Sequence, residues 1–217
     1  MTLFTEKTVV LANGVFPTSA MPLEALRSAE RIICCDGAAD RLLAAGLEPT
    51  WIIGDGDSLS AETRTRFASR CQFVTEQETN DLTKAFRFCL SQGWREIVIL
   101  GATGGREDHT LGNLSLLADF SREADVRLLT DTGFFTPLRA SAQLKSVAGQ
   151  QVSLIACDAG MRVSAERLRY PVRDLLLSRW WQGTLNEALD TSFTVSFSEG
   201  TLLLFQTYMR CEKQAKA

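Results

Sequence analysis

The sequence predicts an open α/β sheet of mainly parallel strands, followed by a small antiparallel β domain. Three observations carry this. The first two-thirds of the chain alternate short Val- and Ile-rich runs with helical patterns, the succession that builds βαβ units. Those runs are apolar on both faces, as strands covered from both sides must be. After about Thr132 the pattern gives way to brief alternating runs, the mark of half-buried antiparallel strands.

In chain order, the strand candidates of the first part are Thr8–Ala12, Arg31–Cys35, Trp51–Ile53, Cys71–Thr75, Glu96–Leu100 and Val126–Thr130. Between them lie the helix candidates. Asp40–Ala45 stops at Gly46 with Pro49 beyond, and Ser60–Ser69 opens on a good N-cap residue. Asp81–Leu90 sets Leu82, Phe86, Cys89 and Leu90 on one face, and Leu111–Phe120 is apolar enough to be well buried. In the second part the strand candidates are Gln151–Ala156, Arg167–Tyr170 and Ser192–Phe197. The last is expected to join Thr201–Thr207 through a Ser198-Glu199-Gly200 hairpin turn. A boundary between Thr132 and Gln151 is expected, set at 1–140 and 141–217.

A chain of 217 residues, 45% hydrophobic, buries a substantial core. Its net charge of −3 argues against general affinity for nucleic acid, which needs an excess of Lys and Arg. The cysteines Cys34, Cys35, Cys71, Cys89, Cys157 and Cys211 form no CxxC pair and read mainly as buried, reduced thiols. One histidine, His109, makes a zinc site or a His-based nucleophilic triad a poor reading. With no signal-peptide pattern and no apolar run of membrane-spanning length, the expected location is the cytoplasm, with no membrane partner.

The chemistry gathers at strand ends. Cys35 runs into Asp36-Gly37-Ala38-Ala39-Asp40, and Ile53 into Gly54-Asp55-Gly56-Asp57-Ser58. Thr75 runs into Glu76-Gln77-Glu78-Thr79-Asn80-Asp81, and Leu100 into Gly101-Ala102-Thr103-Gly104-Gly105-Arg106-Glu107-Asp108. Parallel strands deliver their carboxyl ends to one edge, where ligands of open α/β sheets bind. That edge would collect Asp36, Asp55, Asp57, Asp81 and Asp108, a crowd of like charges that a hard divalent cation relieves. Asp55-x-Asp57 alone reads first as a solvated turn and second as a cation ligand pair. Gly104 and Gly105 permit an anion-binding nest or a plain tight turn. Asp81 and Lys84 are either a surface ion pair or a metal-and-phosphate pair. The Walker A spacing is absent.

Four ordered motifs bear a family resemblance: Asp36-Gly37-Ala38, Gly54-Asp55-x-Asp57-Ser58, Asn80-Asp81-Leu82-x-Lys84-Ala85 and Gly104-Gly105-Arg106-x-Asp108-His109. In order and spacing they resemble the thiamine pyrophosphokinases. Leu168-Arg169-Tyr170-Pro171 and Gly183–Glu187 are similar to segments of the same family further on. The resemblance implies an open parallel nucleotide-binding sheet with helices on both faces, then a small antiparallel β-sandwich. It implies pyrophosphoryl transfer from ATP to the thiamine hydroxyl with release of AMP, in a homodimer that holds thiamine at the subunit interface. Magnesium would sit on Asp55, Asp57 and Asp81. The nucleotide would meet Gln77, Lys84 and Arg106, with Asp36, Gly37, Thr103, Gly104 and Gly105 around it. Asp108 would orient or deprotonate the hydroxyl, Tyr170 would stack on the pyrimidine and Asn186 would hydrogen-bond thiamine. Leu185 stands where the family has Ser, and Asn80 where Thr is commoner. Trp180 and Trp181 read first as packing residues, second as apolar contact to substrate. The alternatives are a pyrophosphokinase acting on a hydroxymethyl-pterin and a non-catalytic nucleotide- or thiamine-binding module.

Overall fold

The computed structural model describes residues 8–208; Cys211 lies outside them. The chain separates into two compact units, Met1–Asp131 and Thr132–Ala217. In the first, β1 (Thr8–Leu11), β2 (Arg31–Cys35), β3 (Trp51–Gly54), β4 (Cys71–Phe73), β5 (Glu96–Leu100) and β6 (Asp125–Leu129) alternate with helices. These are α1 (Ala20–Ser28), α2 (Ala38–Ala44), α3 (Ala61–Arg66), α4 (Asp81–Ser91) and α5 (Glu107–Phe120). All six strands pair in parallel in the order β4-β3-β2-β1-β5-β6. Val9 at the centre of β1 lies between Ile32 and Val98, which is why these strands are uninterrupted apolar runs.

The order fixes where the helices go. From β1 the chain steps outward through β2 and β3 to β4, then α4 carries it back across β3, β2 and β1 to β5. Right-handed crossovers in opposite directions put α4 and α5 on the face opposite α1, α2 and α3. Phe86 of α4 stacks on Phe120 of α5 with ring centroids 3.9 Å apart.

Several expectations need correction. Helix α1 was not predicted. Its start carries Ser19 and a first-turn Pro22, but the Ser19 side chain makes no cap. Asp131, at the end of β6, accepts from the Thr18 and Ser19 amides instead at 2.9 and 3.0 Å, a cap from across the unit. The Ser60–Ser69 helix ends at Arg66 and continues as a 3-10 turn over Ala68–Arg70. Strand β4 is short and largely exposed because it is the sheet edge. Helix α5 starts at Glu107, and only Leu117 and Phe120 are buried on it; Leu111 is 51% exposed. Of the expected buried thiols, Cys34, Cys35 and Cys89 are buried, Cys71 is half-buried and Cys157 is exposed. Among the described residues no helix is long and apolar enough to cross a membrane.

The second unit contains β7 (Gly133–Leu138), β8 (Ala142–Lys145), β9 (Gln151–Ala156), β10 (Arg162–Glu166), β11 (Val172–Leu176), β12 (Asn186–Glu187), β13 (Ser192–Ser196) and β14 (Leu202–Thr207). They form two antiparallel layers, β12-β9-β14-β7 and β11-β10-β13-β8. One core serves both: Val152, Leu154 and Leu204 of the first layer cluster with Val163, Phe193 and Val195 of the second. That is a β-sandwich.

Two expectations fail here. Arg167–Tyr170 is not a strand. Arg167 has φ 62°, which breaks the extended chain between β10 and β11 and leaves one bridge from Leu168 to Ala188. The 198–200 segment is not a hairpin turn, since β13 pairs with β10 and β8 while β14 pairs with β7 and β9. It carries the chain from one layer to the other because both strands have buried residues to place in the shared core. Phe193 is fully buried there. Phe193→Ala should lower the unfolding free energy by about 3–5 kcal/mol, read as an earlier urea transition of the sandwich; an unchanged midpoint would mean the two layers do not share this core.

Candidate functional site

Strand β1 is the point where the winding reverses, since the chain runs outward from it to β2 on one side and reaches β5 on the other. The crevice beyond its carboxyl end is where open α/β sheets take ligands. The exits of β1 and β5 are joined there: Ala12 N–H donates to Leu100 O (2.8 Å), Gly14 N–H to Gly101 O (2.7 Å) and Val15 N–H to Thr103 O (3.0 Å). This needs glycine. A Cβ on Gly14 would stand 2.4 Å from the Gly101 oxygen, and one on Gly104 (φ 75°) would stand 2.5 Å from Val15 Cγ2. Gly105 also has positive φ, and both it and Gly104 are exposed. Backbone donors there are open to an anion. Ala12-Asn13-Gly14 is a fifth polar strand end, beyond the four singled out from the sequence.

Around the exits of β2 and β3 the carboxylates meet. Asp36 has φ 40° and is 2% exposed; its N–H donates to Ile53 O (2.9 Å) and its Oδ2 accepts from Ser58 N–H (2.7 Å). Its Oδ1 is buried without a partner. Gly37 and Gly54 make room, since added Cβ atoms would meet Ser58 O and Asp36 Cβ, each at 2.8 Å. Burial pushes the Asp36 carboxyl above its ordinary value and neighbouring Asp81 and Asp55 add to this, against the Ser58 hydrogen bond. Asp81, first residue of α4, is raised mainly by burial, offset by Lys84, with Asp55 adding to the rise. Lys84 is buried, and its Nζ lies 3.4 Å from Asp81 Oδ1. Asp55 goes the other way: the Asp57 N–H (3.1 Å), then the Gln77 side chain and the Lys84 charge, hold it below the usual range. Asp57 and Gln77 are exposed beside it.

Asp36, Asp55, Asp81 and Lys84 therefore share one field, three carboxylates to one ammonium. Among the described residues no group of three or more His, Cys, Asp or Glu side chains is drawn together as a ready-made metal cage. The donor set still suits a hard cation, because magnesium typically takes one or two carboxylates and completes its shell with phosphate oxygens and water. The orphaned Asp36 oxygen marks the same shortage of positive charge.

Arg106 and Asp108 sit at the neighbouring helix start. Both are exposed, and the guanidinium forks onto the carboxylate at 3.1 and 2.6 Å, which holds Asp108 below its usual range. The N-cap of α4 is tied to the middle of α5, and that to the β5 exit, by Asn80 Nδ2 donating to Asn113 Oδ1 (3.1 Å) and Asn113 Nδ2 donating to Ala102 O (2.8 Å). Asp108 thus lies at the same sheet edge, but its charge answers to Arg106 and His109, not to the three grouped carboxylates.

In the second unit, Asn186 is buried and its amide holds the Tyr170 backbone, accepting from the N–H at 3.0 Å and donating to the carbonyl at 2.8 Å. The Tyr170 ring is left exposed, as are Trp180, Trp181, Leu185 and Leu189. The paired tryptophans are therefore not core packing, contrary to their first reading. Leu185 has φ 61°, and its N–H donates to Ser153 Oγ at 3.3 Å.

Asp36 gives a pH test. Its folded pKa is raised, so as pH climbs the unfolded chain loses the proton first, and stability falls from the ordinary carboxylate range up through the folded pKa. Asp36→Asn keeps an acceptor for Ser58 and cannot ionise. Its melting temperature, relative to the parent, should rise between pH 4 and pH 7 without ligand; a gap that narrows with pH contradicts a strained carboxylate.

The thiamin pyrophosphokinase catalytic domain family matches residues 23–129, and the thiamin pyrophosphokinase substrate-binding domain family matches residues 133–205. Thiamine pyrophosphokinase 1 of Oryza sativa subsp. japonica is 32% identical over 176 residues, covering 68% of this chain and 66% of that protein. Thiamin pyrophosphokinase 1 of Caenorhabditis elegans is 34% identical over 97 residues, 41% of this chain and only 40% of that relative's own length. Among solved structures, thiamin pyrophosphokinase from Geobacillus thermodenitrificans superposes with a TM-score of 0.77 at 24% identity, covering 94% of this chain and 98% of that one, a likeness of fold. With both of its domain families matched in order along the chain, this protein belongs to the thiamin pyrophosphokinase family.

Proposed function

We propose that the protein is a magnesium-dependent thiamine diphosphokinase, moving the pyrophosphoryl group of ATP to the hydroxyl of thiamine to give thiamine diphosphate and AMP. The observation that carries the reading is the shared field of Asp36, Asp55 and Asp81 with buried Lys84 at the carboxyl edge of the sheet. Family membership gives that field its substrates.

In this reading Asp55, Asp57 and Asp81 hold magnesium, which when bound neutralises charge on the triphosphate. Lys84 and Gln77 face the phosphates, and the exposed Gly104 and Gly105 amides approach them beside Thr103, with Asp36 and Gly37 forming the wall between the exits of β2 and β3. Arg106 exchanges its fork on Asp108 for phosphate oxygens, a partner of higher charge. Asp108 is then free to orient the thiamine hydroxyl and accept its proton as the alcohol oxygen bonds to the β-phosphorus. The bond from that phosphorus to the oxygen bridging it to the α-phosphorus breaks, and AMP leaves with that oxygen. An alkyl alcohol is a weak nucleophile, so positioning and charge stabilisation supply most of the acceleration.

Tyr170 offers its exposed ring to the pyrimidine; Asn186, read from the sequence as hydrogen-bonding thiamine itself, has its amide on the Tyr170 backbone and serves thiamine by fixing that ring. The apolar surface of Tyr170, Trp180, Trp181, Leu185 and Leu189 supports a homodimer with thiamine at the subunit interface. The buried thiols Cys34, Cys35 and Cys89 suit a reducing compartment, and we place the enzyme in the cytoplasm.

Mass spectrometry of a reaction of ATP, magnesium and thiamine should give AMP and thiamine diphosphate in equal amounts. ADP with thiamine monophosphate, or turnover of a hydroxymethyl-pterin in place of thiamine, contradicts the reading. Asp57→Asn and Asp108→Asn should each lower kcat by about two orders of magnitude or more. Near-normal turnover in both would remove the proposed site.

A further inference from the structure

We propose that Arg64 is a positioning residue for the Asp55-Gly56-Asp57 turn: by holding the Gly56 carbonyl it sets the direction of the flanking carboxylates, and so the affinity of the site for a divalent cation. The inference rests on the reading of that turn as cation-holding.

The geometry begins with one peptide plane. The Gly56 carbonyl accepts from Arg64 Nη2, and the N–H of the same peptide unit, that of Asp57, donates to Asp55 Oδ1 at 3.1 Å. Because the unit is planar, these bonds at its two ends fix its orientation, and with it the rotamer of Asp55. Released at the carbonyl, the plane is free to turn and take its N–H away from Asp55. Gly56 has φ +86°, and a Cβ there would stand 2.6 Å from Arg64 Nη2 and 2.7 Å from Phe73 Cε1. Glycine thus makes room for both the turn and the guanidinium.

The other face of the guanidinium lies over the Phe73 ring, 4.9 Å from its centroid. Phe73 is on the edge strand β4 and 43% exposed, an apolar ring whose face is covered by a cation. Arg64 is itself anchored. Helix α3 has six residues, too few to stand alone, and its start is bound to Asp40 of α2. Asp40 accepts from Ser60 Oγ (2.6 Å), Ser60 N–H (3.0 Å) and Thr63 Oγ1 (2.5 Å). Arg64 follows Thr63 directly. The far side of the turn is held by Ser58 N–H on Asp36. A line of bonds thus runs from α2 through α3 to the peptide between the two carboxylates, and no residue on it before Asp55 touches a ligand in the proposed mechanism.

The test uses the full-length protein as the parent, Arg64→Met and Arg64→Lys variants, with Phe73→Leu as a milder change that leaves α3 intact. Free Mn2+ is counted by electron paramagnetic resonance in titrations with the metal alone, and AMP release is followed against magnesium concentration. Loss of an outer partner of a metal ligand typically costs 10- to 100-fold in affinity. Arg64→Met is expected to weaken Mn2+ binding by about 10-fold or more and to raise the magnesium needed for half-maximal rate in step. The ATP KM at saturating magnesium should move little. Arg64→Lys should fall between parent and Met. Phe73→Leu should shift the metal dependence in the same direction, so the proposal can still be checked if Arg64→Met does not fold. Unchanged Mn2+ affinity in folded Arg64→Met, or in Phe73→Leu where the former does not fold, overturns it. If the parent makes no thiamine diphosphate yet Arg64→Met loses Mn2+ affinity, the functional reading fails and the positioning role stands. If thiamine diphosphate is made and Mn2+ affinity is unmoved, only the positioning role fails.

Discussion

The rest of the first unit depends on holding like charges together at one sheet edge, with Asp36 buried and Asp81 half-buried. Asp36, Asp55 and Asp81 lie in one field with a single buried ammonium, and burial raises two of the three carboxyls above their ordinary values. At Asp36 and Asp81 such an arrangement opposes folding, since those two carboxylates would be better hydrated and farther from other negative charges in an open chain. Asp36 adds backbone strain, because φ 40° is sparsely populated for any residue but glycine, although Asp tolerates it better than most. The scaffold must therefore be over-determined around these residues.

It is over-determined in two ways. Under the site, β1, β2, β3 and β5 are buried and pair in parallel with continuous register, a rigid floor from which the loops start. Above the floor each loop is tied by its backbone. The β1 and β5 exits bond to each other, the β3 exit bonds to Asp36 at Ser58 and to Arg64 at Gly56, and Arg41 of α2 donates to the Gly14 carbonyl. Backbone carbonyls held by arginines leave the carboxylates free to face a ligand.

This division explains what the sequence makes legible. The parallel strands could be read because burial on both faces leaves a run of Val, Ile and Cys with no alternation, and Arg31–Cys35 and Glu96–Leu100 match the structure residue for residue. The acidic strand ends could be read because topology alone sends them to one edge. The grouping of Asp36 with Asp55 and Asp81 follows from neighbouring strands, whereas the Arg106–Asp108 fork is a local pairing at a helix start that strand order does not reveal. Arg64 was illegible: at its position in the helix pattern it is one more exposed arginine of α3. Only the placement of β4, which brings Phe73 beside Gly56, gives it a task. Helix α1 was missed for a related reason, as its cap comes from Asp131 at the far end of the unit. The hairpin expected at 198–200 failed because a short turn between two strands looks the same in sequence whether the strands share a sheet or face each other across a core.

The two units, unlike in architecture, share one device for presenting exposed groups. In the first, a guanidinium fixes a glycine carbonyl so that Asp55 and Asp57 stand out from a settled peptide. In the second, the buried amide of Asn186 takes both hydrogen-bonding groups of Tyr170, and the ring projects from a backbone that cannot turn. A buried polar group left unpaired is costly, so each of these bonds resists being broken by thermal motion. An exposed aromatic or carboxylate on a loose loop loses entropy when a ligand orders it, and that loss weakens binding. Fixing the backbone beforehand places the loss in folding, where the buried strands and the sandwich core offset it. Left-handed Leu185 next to Asn186 fits the same logic: the bond from its amide to Ser153 Oγ helps hold a conformation its side chain disfavours, and the isobutyl group faces solvent as a fixed apolar contact.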